Sequence, residues 1–131
     1  MKTILTAAAT ILALAVPALA EGDADKGAKE FRKCKACHKL EAGAKSTVGP
    51  NLYGVMGRTA GTLEGYKYSS YLVAAGEAGV VWDVKTLEAY LPDPTAWLKE
   101  VTGDDGAKSK MAAQRVKSAE DIAAYLASVV E

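Results

Sequence analysis

Histidine and cysteine are almost missing from this chain. Its 131 residues include one histidine and two cysteines, and all three fall in the stretch "RKCKACHKL", as Cys34, Cys37 and His38. A structural zinc centre takes four ligands, and the chain has no fourth Cys or His to offer. Net charge is missing too: 16 basic residues stand against 16 acidic ones, which argues against a general nucleic-acid binder. No segment shows strand alternation strong enough to compete with helical spacing, so a mainly helical chain is expected. The one long apolar run, at the N-terminus, is short for a membrane span of ~20 residues.

That run has another reading. Lys2 gives a short basic end, Ile11, Leu12 and Leu14 lie in an apolar core, and Ala18 and Ala20 occupy the small positions before a cut. Residues 1–20 therefore read as a signal peptide and residues 21–131 as a single domain starting near Glu21. A retained anchor is the alternative, which Pro17 and the "ALA" end disfavour. A domain of this size has limited apolar burial to set against backbone entropy, which leaves room for something that adds core.

Charge is unevenly spread. Between Lys26 and Lys45, seven basic residues (Lys26, Lys29, Arg32, Lys33, Lys35, Lys39, Lys45) face two acidic ones, and Lys108 to Lys117 adds four basic residues with no acid. From Glu64 to Asp105 eight acids outnumber three bases. If the basic stretches meet in space, the molecule has a positive face and an acidic back.

Asp23 or Asp25 is placed to cap a helix through "KGAKEFRKCKAC", with Phe31 as its main apolar side chain. The stretch from Gly43 to Gly65 carries turn residues and reads as a long irregular segment. Short helices follow from Ser70 to Ala75, from Asp83 to Pro92 and from Pro94 to Gly103. Ser118 and Asp121 have capping-box spacing before the stripe Ile122, Tyr125, Leu126 and Val129. Long loops in so small a domain imply that they wrap something or serve a site.

Three chemistries fit Cys34, Cys37 and His38 to different degrees. Zinc lacks ligands. A thioredoxin-like disulfide needs its pair at the start of a helix within an α/β sheet, and no such sheet is expected. Cys-x-x-Cys-His is the attachment pattern of a c-type haem: the thiols add to the two vinyl groups and the adjacent imidazole reaches the iron. That reading suits the leader, the absence of spare ligands and the shortage of core. For the other axial position the soft thioether of methionine is the available donor. Met56, beside Val55 and Leu52, reads as core filler, whereas Met111 in the polar "AKSKMAAQ" reads as the ligand.

With "CKACH", the segments "GPNLYGVMGRTAGT", "YKYS", "LEAYLPDP", "KSKM" and "EDIAAYLASV" resemble, in the same order, the class I cytochromes c, specifically the bacterial carriers of the cytochrome c2 type closest to mitochondrial cytochrome c. The resemblance covers nearly all of residues 21–131. It implies an all-α class I cytochrome c fold, with several short helices and long loops wrapped around one haem c held covalently by Cys34 and Cys37. It implies His38 and Met111 as iron ligands, Pro50 accepting from the His38 imidazole, Arg58, Tyr68, Trp82 and Ser109 around the haem propionates, and Tyr90 near the Met111 sulfur. It also sets Gly27 and Phe31 against Ile122, Tyr125 and Leu126.

The approach to Met111, "DDGAKSKM", departs from the family in lacking the usual proline-glycine pair, and Ala112 stands where a large residue often follows. A less constrained loop is expected. The functional expectation is a soluble periplasmic one-electron carrier, not an enzyme. It would run as a monomer from a cytochrome bc1 complex to a photosynthetic reaction centre or a terminal oxidase. Docking would use Lys33, Lys35, Lys108 and Lys110, with transient membrane contact and no nucleic acid. The rival readings are a haem enzyme or gas binder with a labile methionine, and a redox subunit held permanently in a larger complex.

Overall fold

The computed structural model describes residues 22–130; the expected leader and its cleavage point lie outside them. Asp23 decides where the first helix begins, because its carboxylate accepts from the amides of Asp25 and Lys26 at 3.0 and 3.1 Å. Helix α1 runs Ala24–Phe31, ending earlier than the sequence predicts, and tightens into a 3-10 turn over Arg32–Ala36. The turn ends on a shared carbonyl: that of Cys34 accepts from Cys37 in the 3-10 pattern and from His38 in the α pattern, at 3.2 and 3.0 Å.

Residues 43–65 form no helix, as expected; an isolated antiparallel bridge, Thr59 to Val81, and backbone bonds such as Leu52 N to the Lys39 carbonyl and Gly57 N to the Trp82 carbonyl join them to the rest. Helix α2 (Ser70–Glu77) is capped by Ser69 and extends two residues beyond the expected Ala75. Helix α3 (Val84–Tyr90) is capped by Asp83. Helix α4 (Pro94–Thr102) has Asp93 as its cap, Pro94 in its first turn and a left-handed Gly103 at its end. Helix α5 (Ala119–Ser128) closes the chain. Among the described residues no helix is long and apolar enough to cross a membrane.

Helices α1 and α5 pack most extensively. Gly27 is buried against α5, and a Cβ there would overlap the Asp121 carbonyl, which explains a glycine in mid-helix. Phe31, only 1% exposed, meets Tyr125 with ring centroids 5.5 Å apart. The two helices also cap each other. Glu30 accepts from the amides of Lys117 and Ser118 at 2.7 and 3.1 Å, and Asp121 accepts from the Asp23 amide at 2.7 Å. The capping box is therefore only half made. Ser118 Oγ accepts from Asp121 N, but Ser118 N is taken by Glu30 from the other helix.

The buried side chains form two groups. One gathers Leu87, Tyr90, Leu91, Trp97 and Leu98; the other gathers Phe31, Val55, Ile122 and Leu126. Met56, Trp82 and Val116 pack against both.

Candidate functional site

A cavity of about 370 Å³ is lined by members of both groups, including Phe31, Leu52, Val55, Leu87, Leu98 and Ile122. Cys34, Cys37, His38, Pro50, Arg58, Tyr68, Trp82, Tyr90, Ser109 and Met111 all line it. Residues spread over some eighty positions of the chain thus meet on one mostly apolar wall. Met56 is not on that wall and packs as core, as its neighbours in the sequence imply.

The thiols come first in building the site. Cys34 and Cys37 stand three residues apart, the repeat of the 3-10 turn that carries Cys34, and both face the cavity. They are unpaired. Burial raises the Cys34 thiol above its ordinary value, with Lys33 pulling the other way. A reactive redox cysteine calls for the opposite shift, so the disulfide reading loses ground. Among the described residues no group of three or more His, Cys, Asp and Glu is arranged to hold a metal ion, which leaves zinc without support.

His38 is held from behind. Its Nδ1 lies 2.8 Å from the Pro50 carbonyl, which can only accept, so Nδ1 carries the proton and Nε2 keeps a free lone pair. Gly49 lets this happen: a Cβ there would overlap the imidazole. The loop behind the ring is secured by Gly49 N and Thr47 Oγ1 donating to the Cys37 carbonyl, at 2.8 and 3.2 Å. Asn51, 7% exposed, fastens the same loop. Its Nδ2 donates to Glu41 and Ala44, at 2.7 and 3.0 Å, while its Oδ1 accepts from Tyr53 N at 3.1 Å. Neither Gly49 nor Asn51 is marked for these roles by its neighbours, because "GPN" signals only a turn and says nothing of what lies against it.

Met111 sits on the loop between α4 and α5. The Tyr90 hydroxyl donates to its sulfur at 3.6 Å, and its amide donates to Ser109 Oγ at 3.0 Å. Burial raises the Tyr90 phenol, with Ser109 opposing, so the hydroxyl keeps the proton it donates. Trp82 stands edge-on to Tyr90 at 5.0 Å and stacks near Trp97 at 6.1 Å. Arg58 is turned partly to backbone, donating to the carbonyls of Tyr53 and Asn51 at 2.6 and 3.4 Å. Tyr68 packs edge-on against Tyr66 at 4.8 Å.

Of the four lysines expected at a docking face, Lys33 and Lys110 reach the cavity wall while Lys35 and Lys108 do not. Lys33 Nζ donates to the Arg115 carbonyl, and Lys110 Nζ to the Lys67 carbonyl at 2.8 Å. All four are exposed. Ala112 is exposed beside the cavity, with no large side chain to cover Met111 from that position.

These residues fit a covalently held haem: paired thiols, an imidazole with a free lone pair, a thioether, and an apolar cavity between two halves of a core. No family model matches the chain. It is 51% identical to cytochrome c2 of Rhodobacter capsulatus across the whole of both chains. Cytochrome c-550 of Paracoccus versutus is 45% identical, over 97% of this chain and 88% of the relative. The solved structure of Rhodobacter capsulatus cytochrome c2 superposes with a TM-score of 0.76 at 49% identity, over 84% of this chain and all of that one. Ferric cytochrome c-550 from Paracoccus versutus also gives 0.76, at 43% identity over 85% of this chain and all of that one. The chain therefore belongs to the class I cytochromes c, among the bacterial cytochromes c2 and c-550, periplasmic one-electron carriers that hold one haem c through two cysteines.

Proposed function

We propose that His38 Nε2 and Met111 Sδ are the two axial ligands, and that the carrier takes electrons from a cytochrome bc1 complex and delivers them to a photosynthetic reaction centre or a terminal oxidase. The observation that carries this reading is the paired restraint on the two donors: Nδ1 of His38 is committed to the Pro50 carbonyl, and the Met111 sulfur is held by the Tyr90 hydroxyl, on the wall of one cavity.

When bound, the haem supplies a one-electron iron couple. The chain tunes and shields that couple. The Pro50 carbonyl raises the basicity of the imidazole by accepting its other proton. Tyr90 places a hydroxyl dipole at the sulfur without surrendering its proton. Leu87, Leu98, Phe31 and Ile122 keep water from the apolar wall. Arg58, Tyr68, Trp82 and Ser109 supply a cation and hydrogen-bond donors suited to carboxylates. Were His38 and Met111 both to bind the iron, no position on it would be open to a substrate, which accords with a family of carriers and not of enzymes.

Docking through Lys33, Lys35, Lys108 and Lys110 is supported by their exposure and by how little the acids pair: among the described residues the one ion pair is Lys26 with Asp23, at 3.9 Å. Removal of residues 1–20 before the mature chain works as a monomer belongs to the same proposal, as does a contact with the membrane limited to its partner complexes.

Absorption of the ferric protein into the near infrared tests the ligand assignment. Wild type is expected to show the weak far-red sulfur-to-iron band, and Met111→Ala to lose it. A band that survives the substitution overturns the assignment in favour of Met56 as the sulfur donor, and none in wild type overturns it in favour of a labile or open iron.

A further inference from the structure

Residues 104–111 contain no proline, yet the loop that presents Met111 is not left free. The Ser109 amide donates to Thr95 Oγ1 at 3.0 Å, and Ser109 Oγ in turn accepts from the Met111 amide at 3.0 Å. Thr95 lies in the first turn of α4, between the buried Pro94 and the buried Trp97 and Leu98, so the hydroxyl stands on an element that cannot easily shift. Its β-branched side chain has few rotamers to lose on being held. On the far side of Met111, Gln114 N donates to the Leu91 carbonyl at 2.8 Å. Both ends of the ligand-bearing stretch therefore hang on the short segment from Leu91 to Thr95. Ser109 and Met111 line the cavity and Thr95 does not.

We propose that Thr95 is a positioning residue for the axial sulfur: acting through Ser109, its hydroxyl sets the Met111 loop and supplies the restraint that the family's proline-glycine approach would otherwise give. This rests on the reading of Met111 as ligand. Valine has the shape of threonine without the acceptor and would strand the Ser109 amide, while serine keeps the acceptor.

The test compares ferric wild type, Thr95→Val, Thr95→Ser and Met111→Ala, each titrated with imidazole while the far-red band is followed. Imidazole takes the iron only when the sulfur is away, so its apparent affinity scales with the fraction of molecules in that state. Thr95→Val is expected to bind imidazole about fivefold tighter than wild type, the weight of one net backbone hydrogen bond. Thr95→Ser is expected to return to within roughly twofold of wild type. Thr95→Val staying within that margin, or Thr95→Ser binding as tightly as Thr95→Val, overturns the proposal. So does a lowered melting temperature in Thr95→Val with unchanged imidazole affinity, the mark of a merely structural threonine. If the band is missing in wild type or persists in Met111→Ala, the ligand reading fails and the tether with it. If the band behaves as expected and Thr95→Val does not bind tighter, the tether alone fails.

Discussion

The carbonyl of Pro50 and the hydroxyl of Tyr90 restrain the two donors in opposite senses: the carbonyl accepts from Nδ1 of His38 and leaves the Nε2 lone pair unspent, whereas the hydroxyl donates to the Met111 sulfur and occupies one of its two lone pairs. Tyr68 offers a titration. Burial raises its phenol above the ordinary 10.0, against the lowering effect of Arg58 and of a backbone bond at Leu63. A raised value means that the folded chain favours the neutral phenol. The stabilisation is therefore full below about pH 10 and is lost as the pH climbs through the folded value, since the unfolded chain ionises first. Denaturant unfolding of the ferrous protein is expected to show stability falling as the pH rises above about 10, with Tyr68→Phe falling less. Equal losses in the two proteins would clear Tyr68 of the effect.

Between elements, the closest fit is α1 against α5. Gly27 lets the backbones meet, Phe31 fills the space beside Tyr125, and Glu30 and Asp121 each satisfy amides of the other helix. Gly27→Ala is expected to cost about 3 kcal/mol, toward the upper end for overpacking, because the obstacle is a carbonyl and cannot rotate away. Equilibrium unfolding measures this directly; a change under about 1 kcal/mol would mean that the helices separate cheaply. Phe31→Ala is expected to lose about 3 to 5 kcal/mol by the same assay, since a buried aromatic side chain leaves a cavity. A smaller loss would mean that the holoprotein fills the space from the haem side.

For the molecule as a whole, the totals of charge cancel while the lysines beside the cavity remain unpaired with acids. Lys33 and Lys110 spend their ammonium groups partly on carbonyls, whereas no such bond holds Lys35 or Lys108. Steering of an acidic partner weakens once salt shortens the Debye length to about 10 Å near 0.1 M. The bimolecular rate with a membrane redox complex is expected to fall about tenfold from low to physiological salt, and Lys35→Glu with Lys108→Glu to flatten that dependence. A rate indifferent to salt would remove the lysines from docking.

Much of this was legible in the residues themselves. "CKACH" names its chemistry because the spacing of two thiols and an imidazole is local, and the caps Asp23, Asp83 and Ser118 act within one turn of their own amides; Ser69 and Asp93, which cap α2 and α4, emerge only in the structure. Family order in "GPNLYG", "KSKM" and "EDIAAYL" carried the identity of the fold. The 3-10 turn at Arg32–Ala36 carries no such local mark, since its residues suit an α-helix equally well. Gly49 under the imidazole, Asn51 fastening the loop behind it, Glu30 capping α5 and Thr95 holding Ser109 were equally hidden. Each joins residues from about ten to nearly ninety positions apart, and a hydrogen bond between distant segments leaves no periodicity or spacing in the chain. Local spacing of residues was enough for the attachment chemistry, most of the helix starts and the family. Tertiary packing alone decided which nitrogen of His38 is free and what holds the loop at Met111, because both depend on carbonyls and hydroxyls brought in from elsewhere in the fold.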